Sequence, residues 1–140
     1  MDIQIRSATQ EDYEQVLKLY GFFTERDYSR HDADSFSKVL QDPNSYLFVA
    51  DHDGVAIGVA LVTIRNVVRY ARPVAELDEL FVLEEYRKQG IGKKLMRAVE
   101  QKATELHCQR IYLESHADRK PAHAFYEALG YTNYESCFKK

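Results

Sequence analysis

The sequence predicts an α/β (α+β) fold in which one mixed, mostly antiparallel β-sheet is flanked by about four helices. Three observations support this prediction. Apolar and polar residues alternate near the N-terminus, and β-rich runs follow between residues 46 and 82; both patterns are typical of strands. Apolar residues recur every three to four positions after Thr9 and after Gly90, which is the spacing of helices. Asp53 and Gly54 separate two β-rich runs and predict a hairpin.

The N-terminal part of the chain predicts a strand and then a helix. Ile3 and Ile5 alternate with polar neighbours, so we expect a strand over residues 2–8. Thr9 is a candidate helix N-cap with Asp12 three residues later, an arrangement similar to a capping box. The helix that follows has one apolar stripe, formed by Tyr13, Val16, Leu17 and Tyr20.

The middle of the chain predicts a short helix and three strands. Residues 21–34 are irregular and polar, and a helix is expected over residues 35–41, capped by Asp34 and ended by Pro43. The three predicted strands cover residues 46–50, 55–68 and 74–82.

The C-terminal part predicts a helix opened by two glycines, a short strand and a last helix. The first helix carries one apolar stripe formed by Ile91, Leu95, Val99 and Ala103. A strand is expected at residues 111–113, and Pro121 and Gly130 mark the start and end of the last helix. A final strand is expected over residues 131–138. The predicted order is βααβββαβαβ, in one domain that spans residues 1–140 and is long enough for a hydrophobic core.

The composition excludes several classes of protein. The chain has 19 Lys and Arg against 22 Asp and Glu, a formal charge of −3, so we expect no nucleic-acid partner. No apolar run reaches the length of a membrane span and the N-terminus lacks a signal-peptide pattern, so we expect a cytoplasmic protein with no membrane association. Cys108 and Cys137 form neither a disulfide framework nor a zinc ligand set, and we expect no metal.

The turn before the third helix is a candidate anion site. Gly90 and Gly92 allow close approach of the backbone, and the free N–H groups and dipole of a helix start attract phosphate. The sequence has no P-loop motif, and Leu95 stands where a Rossmann motif would have its third glycine. From this stretch alone, a solvated basic helix start remains an equal alternative.

Two segments carry a family resemblance. The motif Arg87-x-x-Gly90-x-Gly92, after the predicted strand, resembles the acetyl-CoA motif of the GNAT (GCN5-related N-acetyltransferase) superfamily. Residues 122–131, Ala-His-Ala-Phe-Tyr-Glu-Ala-Leu-Gly-Tyr, resemble the second motif of that family. Both motifs occur in the family's order, and the order of elements fits the family over essentially the whole chain. The resemblance implies an acetyl-CoA-dependent N-acetyltransferase that acts on a primary amine.

The resemblance also implies where the cofactor binds. In this family the strand before the glycine turn splays away from the next parallel strand, and the opening receives the pantetheine arm. The matching positions are Leu80, Phe81 and Val82, facing residues 111–114. The pyrophosphate would lie on the N–H groups of Arg87, Lys88, Gln89, Gly90, Ile91, Gly92 and Lys93. Many members have Asn where this chain has Arg119, which could reach the CoA phosphates or lie in solvent.

Amine acetylation needs a base, because an alkyl amine has a pKa of about 10 and is protonated at neutral pH. Glu76 aligns with the general base of the histone-type members, and Glu79 and then Asp78 are the next candidates. Alternation along the strand predicts Glu76 and Asp78 on one face and Glu79 on the other. By resemblance, Tyr126 would protonate the departing thiolate, and a peptide N–H near Val82 would polarise the thioester carbonyl.

Other interpretations of the sequence remain open. The chain could be a noncatalytic acyl-CoA-binding regulatory domain on the same fold, or a module that binds nucleotide phosphates unrelated to CoA. The acceptor could be a small molecule or a peptide: the acidic segment 22–34 would attract a cationic amine, and the basic link 65–72 an anionic acceptor. Both segments could also be solvated loops. The resemblance makes a homodimer a further expectation.

Overall fold

The computed structural model describes residues 2–23, 33–115, 119–134, 138 and 140 of the chain. The described strands are β1 (Gln4–Ser7), β2 (Ser45–His52), β3 (Val55–Arg65), β4 (Val74–Val82) and β5 (Arg110–Leu113). The described α-helices are α1 (Tyr13–Phe23), α2 (Ala33–Gln41), α3 (Ile91–Glu105) and α4 (Lys120–Ala128). Short 3₁₀ turns occupy Gln10–Asp12 and Glu84–Tyr86. None of the described helices has both the length and the apolar character that crossing a bilayer requires.

The five strands form one sheet in the order β1-β2-β3-β4-β5. Neighbouring strands are antiparallel except β4 and β5, which run parallel and are connected through α3. Pairing of β4 with β5 ends where Leu77 lies opposite Leu113, and β4 then continues to Val82. Beyond Leu77, β4 therefore has no paired residue of β5 beside it, as the predicted opening requires.

Helices cover both sides of the sheet. On the side that we call the α3 face, the core includes buried side chains of Ile57, Val62, Leu77, Ile91, Leu95 and Val99. Side chains of α4 also pack against this core. On the side that we call the α1/α2 face, the core includes Val16, Leu19, Leu47, Val59 and Phe81. The sheet thus separates two cores, and each supports one half of the site described below.

β4 contains one more residue than its pairing with β3 requires. Val62 lies opposite Leu77, but the adjacent residue Leu61 lies opposite Glu79. No residue of β3 therefore lies opposite Asp78. Such a β-bulge sets two residues of one strand against a single residue of the other and bends the strand. The bulge falls directly after Leu77, where β5 leaves β4.

The bulge changes the face to which the second half of β4 points. Leu77 and Leu80 both pack against the α3-face core, although they are three residues apart. Glu79 and Phe81 therefore point to the α1/α2 face, as does Glu76, which directly precedes Leu77. The prediction that Glu79 faces away from Glu76 was wrong, because strict alternation does not continue through a bulge.

Two predicted element boundaries also shift. α2 begins at Ala33, so Asp34 lies in the first helical turn, near the positive end of the helix dipole, and not at the N-cap. β3 ends at Arg65 and not at residue 68, because Arg65 lies opposite Val74, the first residue of β4.

The described part of the predicted terminal strand is not a strand. Residues 131–134 and 138 lie outside the sheet, and residues 135–137 are not among the described residues. Gly130 has φ +94°, and the Tyr131 N–H donates to the Tyr126 carbonyl at 3.1 Å. The Tyr131 hydroxyl donates to Glu100 of α3 at 3.1 Å. These bonds direct the chain toward α3 and α4 and not along β5.

Arg6 connects β1 to the start of α1. Its guanidinium donates to both carboxylate oxygens of Asp12, at 2.8 and 2.9 Å, and its Nε donates to Asp51 at 3.0 Å. Asp12 is only 6% exposed and also accepts the Thr9 N–H at 2.8 Å, which completes the predicted cap. The hydrogen bonds from Arg6 are the main reason why the pKa of Asp12 is lowered. This network fixes the direction in which α1 crosses the sheet.

We expect Asp12→Ala to lower the free energy of unfolding by about 2 kcal/mol at neutral pH, because Arg6 and the Thr9 N–H lose their acceptor. Since the folded pKa of Asp12 is lowered, its stabilisation is present above the unfolded pKa and is lost as pH falls through the folded pKa. The difference between wild type and variant should therefore shrink below about pH 4. Denaturant titrations over a pH series measure it; a difference that grows on acidification would contradict this role.

Candidate active site

The separation of β4 from β5 exposes peptide groups along β4. The Leu83 N–H donates to the Ile57 carbonyl at 2.9 Å, so these two residues form a hydrogen-bonded pair between β3 and β4. Hydrogen-bonded pairs alternate with non-hydrogen-bonded pairs in an antiparallel ladder, so the peptide groups of Val82 and Leu80 point away from β3. They point into the space between β4 and β5, which we call the β4–β5 gap. Two of the three residues matched to the pantetheine-binding strand thus offer backbone groups to this gap.

Phe81, the third of these residues, is oriented differently. Its peptide groups fall on the β3 side, and its side chain is buried on the α1/α2 face. The Arg87 guanidinium lies 5.3 Å from the centroid of the Phe81 ring, and Arg87 Nε donates to the Val82 carbonyl at 2.9 Å. The Arg87 N–H donates to the Glu84 carbonyl at 3.1 Å. That N–H therefore already has an acceptor, and the predicted anion cradle begins after Arg87.

The first turn of α3 presents three peptide N–H groups. The Lys94 N–H donates to the Gly90 carbonyl at 3.1 Å, so the N–H groups of Ile91, Gly92 and Lys93 precede the first bond of the helix and have no acceptor within it. Gly90 has φ +81°, a left-handed conformation that glycine adopts without strain and that turns the chain into the helix. The helix dipole adds partial positive charge at this end. This arrangement is suited to an anion such as a phosphate.

The side chains around this turn divide between core and solvent. Ile91 is buried in the α3-face core, so only its backbone can contribute to an anion site. Lys88, Gln89 and Lys93 are exposed, and Lys88 adopts φ +61°. Gln89 Nε2 donates to the Glu85 carbonyl at 3.2 Å, which holds the turn together. Lys88 and Lys93 therefore add positive charge near the cradle from its solvent-exposed side.

α4 packs Phe125 against the first turn of α3, and Tyr126 is the next residue of that helix. A Cβ added to Gly92 would lie 3.3 Å from the Phe125 ring, so glycine allows the two helices to approach closely. The ring centroids of Phe125 and Tyr126 are 5.2 Å apart, and those of Tyr126 and Tyr131 are 6.1 Å apart. Burial raises the pKa of Tyr126, and the positive charge of Arg119 opposes this in part. Arg119 itself is exposed and precedes α4.

Two of the three candidate carboxylates contact side chains of β3. Glu76 forms an ion pair with Arg65, and Asp78 accepts a hydrogen bond from the Thr63 hydroxyl. Asp78 is exposed and Glu76 is half-buried. A carboxylate oxygen that already holds a guanidinium is less accessible to an incoming amine than an oxygen at the edge of a pocket.

Glu79 lies in a different environment. Burial raises its pKa, and it accepts a hydrogen bond from the Tyr20 hydroxyl of α1. It borders a pocket of about 140 Å³ between α1, α2 and the sheet, which we call the α1/α2 pocket. The pocket is lined by Tyr13, Val16, Leu17, Tyr20, Ser35, Phe36, Val39, Leu47, Leu61 and Glu79. Glu79 is thus the candidate carboxylate that faces a cavity.

Sequence analysis missed two features of the α1/α2 face. The sequence predicts Tyr20 only as part of the apolar stripe of α1, and no local pattern pairs it with Glu79. The Tyr70 and Tyr112 hydroxyls are 2.8 Å apart, and the Arg69 guanidinium lies 5.0 Å from the centroid of the Tyr70 ring. The hydrogen bond to Tyr112, with help from Arg69 and Arg110, lowers the pKa of Tyr70. The basic link was the available signal, but only strand pairing brings Tyr112 beside it.

The comparison with known families agrees with this geometry. The model of the acetyltransferase (GNAT) family matches residues 7–131. The chain belongs to this family. It is an N-acetyltransferase fold whose gap between two parallel strands lies beside the glycine turn, as the two sequence motifs predict.

Two relatives of this GNAT chain are named as acetyltransferases of small amines. An aminoalkylphosphonate N-acetyltransferase of Salmonella typhimurium is 30% identical over 139 residues, which cover 98% of this chain and 90% of the relative. An aminoglycoside N(6′)-acetyltransferase type 1 of the same organism is 31% identical over 103 residues, or 70% of each chain. The solved structure of AAC(6′)-Iy with a bisubstrate analogue of CoA superposes with a TM-score of 0.86 at 27% identity, covering 100% of this chain and 97% of that one.

The described residues of this GNAT domain fit a CoA-type ligand. The N–H groups at the start of α3 suit a diphosphate, and the β4 backbone groups in the gap suit the amides of a pantetheine arm. Structural neighbours of the domain bind CoA or a CoA analogue. Among the described residues, no three His, Cys, Asp or Glu side chains come together as metal ligands would.

If the start of α3 holds the CoA diphosphate, Gly92→Glu should weaken CoA binding at least 100-fold, because a carboxylate would then lie at the cradle. Lys94→Glu is the matched control: Lys94 is on the same turn but lines the groove toward β1, so its larger charge change should weaken binding less than fivefold. Calorimetric titration measures both affinities, and circular dichroism verifies folding, since Gly92 contacts Phe125. Equal losses in the two variants would assign the effect to net charge alone.

Proposed function

We propose that this protein transfers the acetyl group of acetyl-CoA directly to a primary amine, without an acetylated enzyme intermediate. The observation that carries the proposal is the end of β4–β5 pairing at Leu77, beside the start of α3. A pantetheine arm can hydrogen-bond to Leu80 and Val82 in the gap while its diphosphate lies on the first turn of α3. The thioester would then lie in the gap, reachable from the α1/α2 face.

Glu79 is the carboxylate best suited to act as the base. It lies on the α1/α2 face beside a pocket, and its burial raises its pKa, which makes it a better proton acceptor than an ordinary glutamate. Glu76, which aligns with the base of the histone-type members, is held by Arg65. In the proposed role, the neutral amine attacks the thioester carbonyl carbon, and Glu79 takes the one proton that the nitrogen loses as the C–N bond forms.

Tyr126 is suited to act as the acid. It follows Phe125, which packs on Gly92 of α3, and burial raises its pKa, so the phenol keeps its proton at neutral pH. When the C–S bond of the tetrahedral intermediate breaks, the electron pair goes to sulfur and the Tyr126 proton neutralises the thiolate. A peptide N–H of Leu80 or Val82 in the gap would stabilise the oxyanion. The products are the N-acetylated amine and CoA.

The role of Tyr126 predicts that Tyr126→Phe lowers kcat by more than about tenfold while the affinity for acetyl-CoA changes less than threefold. Tyr131→Phe is the matched control, since Tyr131 contacts Tyr126 but its hydroxyl donates to Glu100. Steady-state kinetics with thiol detection of released CoA, together with calorimetry for binding, measure the two quantities. An unchanged kcat in Tyr126→Phe would remove this residue from the chemistry.

The role of Glu79 predicts a pH dependence. A base must be ionised, so kcat/KM should fall on the acid side of the Glu79 pKa, which lies above that of an ordinary glutamate. Glu79→Gln should lower kcat/KM at least tenfold at neutral pH and remove this acid limb, leaving only the ionisation of the amine. Glu76→Gln should leave the limb in place. The reverse pattern of the two pH–rate profiles would assign the base to Glu76.

Stability of Glu79→Gln provides a separate check that the variant is folded. A raised folded pKa means that Glu79 favours the folded state below its unfolded pKa, and that this contribution is lost as pH rises through the folded pKa. Replacing the carboxylate with a neutral amide should therefore not destabilise the protein at neutral pH, where the buried carboxylate would be charged. Thermal unfolding of both proteins at neutral and acidic pH measures this.

A further inference from the structure

The α1/α2 pocket lies on the opposite side of the sheet from the start of α3. The helix that presents the N–H cradle packs through Ile91 and Leu95 on the α3 face, whereas Val16 and Leu47 of the pocket wall belong to the α1/α2 core. A CoA bound on the α3 face therefore leaves this pocket open to a second ligand. Glu79 lies between the α1/α2 pocket and the β4–β5 gap. Its side chain borders the pocket, and the next residue, Leu80, offers its peptide group to the gap.

The pocket has the size and lining of a site for one apolar group. Its volume of about 140 Å³ is close to that of apolar protein cavities that bind benzene, roughly 150 Å³. Aromatic and aliphatic side chains form most of its wall. Among the described residues that line it, Glu79 carries the only charge. An ammonium group beside Glu79 and an apolar group in the rest of the pocket would satisfy both parts of this lining.

The same lining disfavours the charged groups of the acceptors that the relatives act on. A phosphonate in the pocket would have no described cation to neutralise it and would lie near the Glu79 carboxylate. The arginines of this face, such as Arg69 and Arg110, lie beside Tyr70 and do not line the pocket. An aminoglycoside ring would bury several hydroxyls against aliphatic side chains with few partners.

We propose that the α1/α2 pocket selects acceptors in which a primary amine is joined by a short linker to one aromatic or branched alkyl group of about the size of a benzene ring. The amine lies at Glu79 and the apolar group fills the space between α1, α2 and Leu61. This inference rests on the proposed acetyl transfer for its catalytic readout, but binding of the apolar group to the pocket can be measured without turnover.

The test uses the full chain with acetyl-CoA and four amines: phenethylamine, ethylamine, 2-aminoethylphosphonate and the aminoglycoside kanamycin. Phenethylamine and ethylamine share the amine and differ by the ring, so their kcat/KM ratio reports on the pocket. Burial of a ring of this size should favour phenethylamine by about 100-fold. Both polar amines should be acetylated more slowly than phenethylamine at equal concentration.

A pocket-filling variant separates the pocket from the rest of the protein. Val39→Phe places a ring in the space between α2 and the sheet and should lower kcat/KM for phenethylamine at least tenfold. The loss for ethylamine should be smaller than the loss for phenethylamine, because the small amine does not fill the apolar part of the pocket. Val55→Phe is the control with the same substitution at an exposed position outside the pocket, and it should change neither value.

Binding is measured separately by calorimetric titration of phenethylamine into the protein saturated with CoA. Saturable binding that is weakened by Val39→Phe and not by Val55→Phe would support the pocket. If no amine is acetylated in that case, the proposed transfer reaction is wrong and the inference about the pocket stands. Acetylation of kanamycin or 2-aminoethylphosphonate with no preference for phenethylamine over ethylamine would overturn the inference and leave the transfer reaction standing. Absence of phenethylamine binding would also overturn it. An equal loss of kcat/KM for both amines in Val39→Phe would indicate that α2 is misfolded in this variant. The ratio of kcat/KM for the two amines with the wild-type protein would then be the test of the inference.

Discussion

The extra residue in β4 is the feature on which the geometry of the site depends. Under strict alternation, Glu79 and Phe81 would follow Leu77 onto the α3 face, and Leu80 and Val82 would lie against α1 and α2. The bulge reverses this assignment for the second half of the strand. Because it falls where β5 leaves β4, the change of face and the loss of the strand partner occur together. One additional residue thus places a carboxylate on one face and leaves backbone groups open in the gap beside it.

The sheet separates the requirements of the two substrates. A diphosphate needs peptide N–H groups and positive charge, which the start of α3 provides on one face. An amine needs a carboxylate in a cavity, which Glu79 provides on the other face. In the proposed reaction, the amine and the thioester meet at the β4–β5 gap, which lies between these two sides. Two hydrophobic cores on the two faces hold these regions in place independently.

The position of Glu79 is unfavourable for the stability of the folded protein. A carboxylate buried beside aliphatic side chains is costly, and its raised pKa reflects that cost. The hydrogen bond from Tyr20 offsets part of it and links the carboxylate to α1. The orientation of α1 in turn depends on the ion pair of Arg6 in β1 with Asp12, the residue directly before the helix. Such local departures from good packing are typical of functional sites, where the surrounding structure compensates for them.

Features that depend on residues close together in the chain can be predicted from the sequence alone. Periodicity predicts the strands and helices through α4, and the glycine turn predicts the start of α3. The resemblance of the two motifs to the GNAT family implies the opening between β4 and β5 and the position of Tyr126. The face of Glu79, its contact with Tyr20 and the pairing of Tyr70 with Tyr112 follow from the folded arrangement of the strands and helices. The physical reason is that a bulge is defined by the register of two strands, and that Tyr20 and Glu79 meet across 59 positions of sequence. No local pattern of residues encodes a contact of that kind.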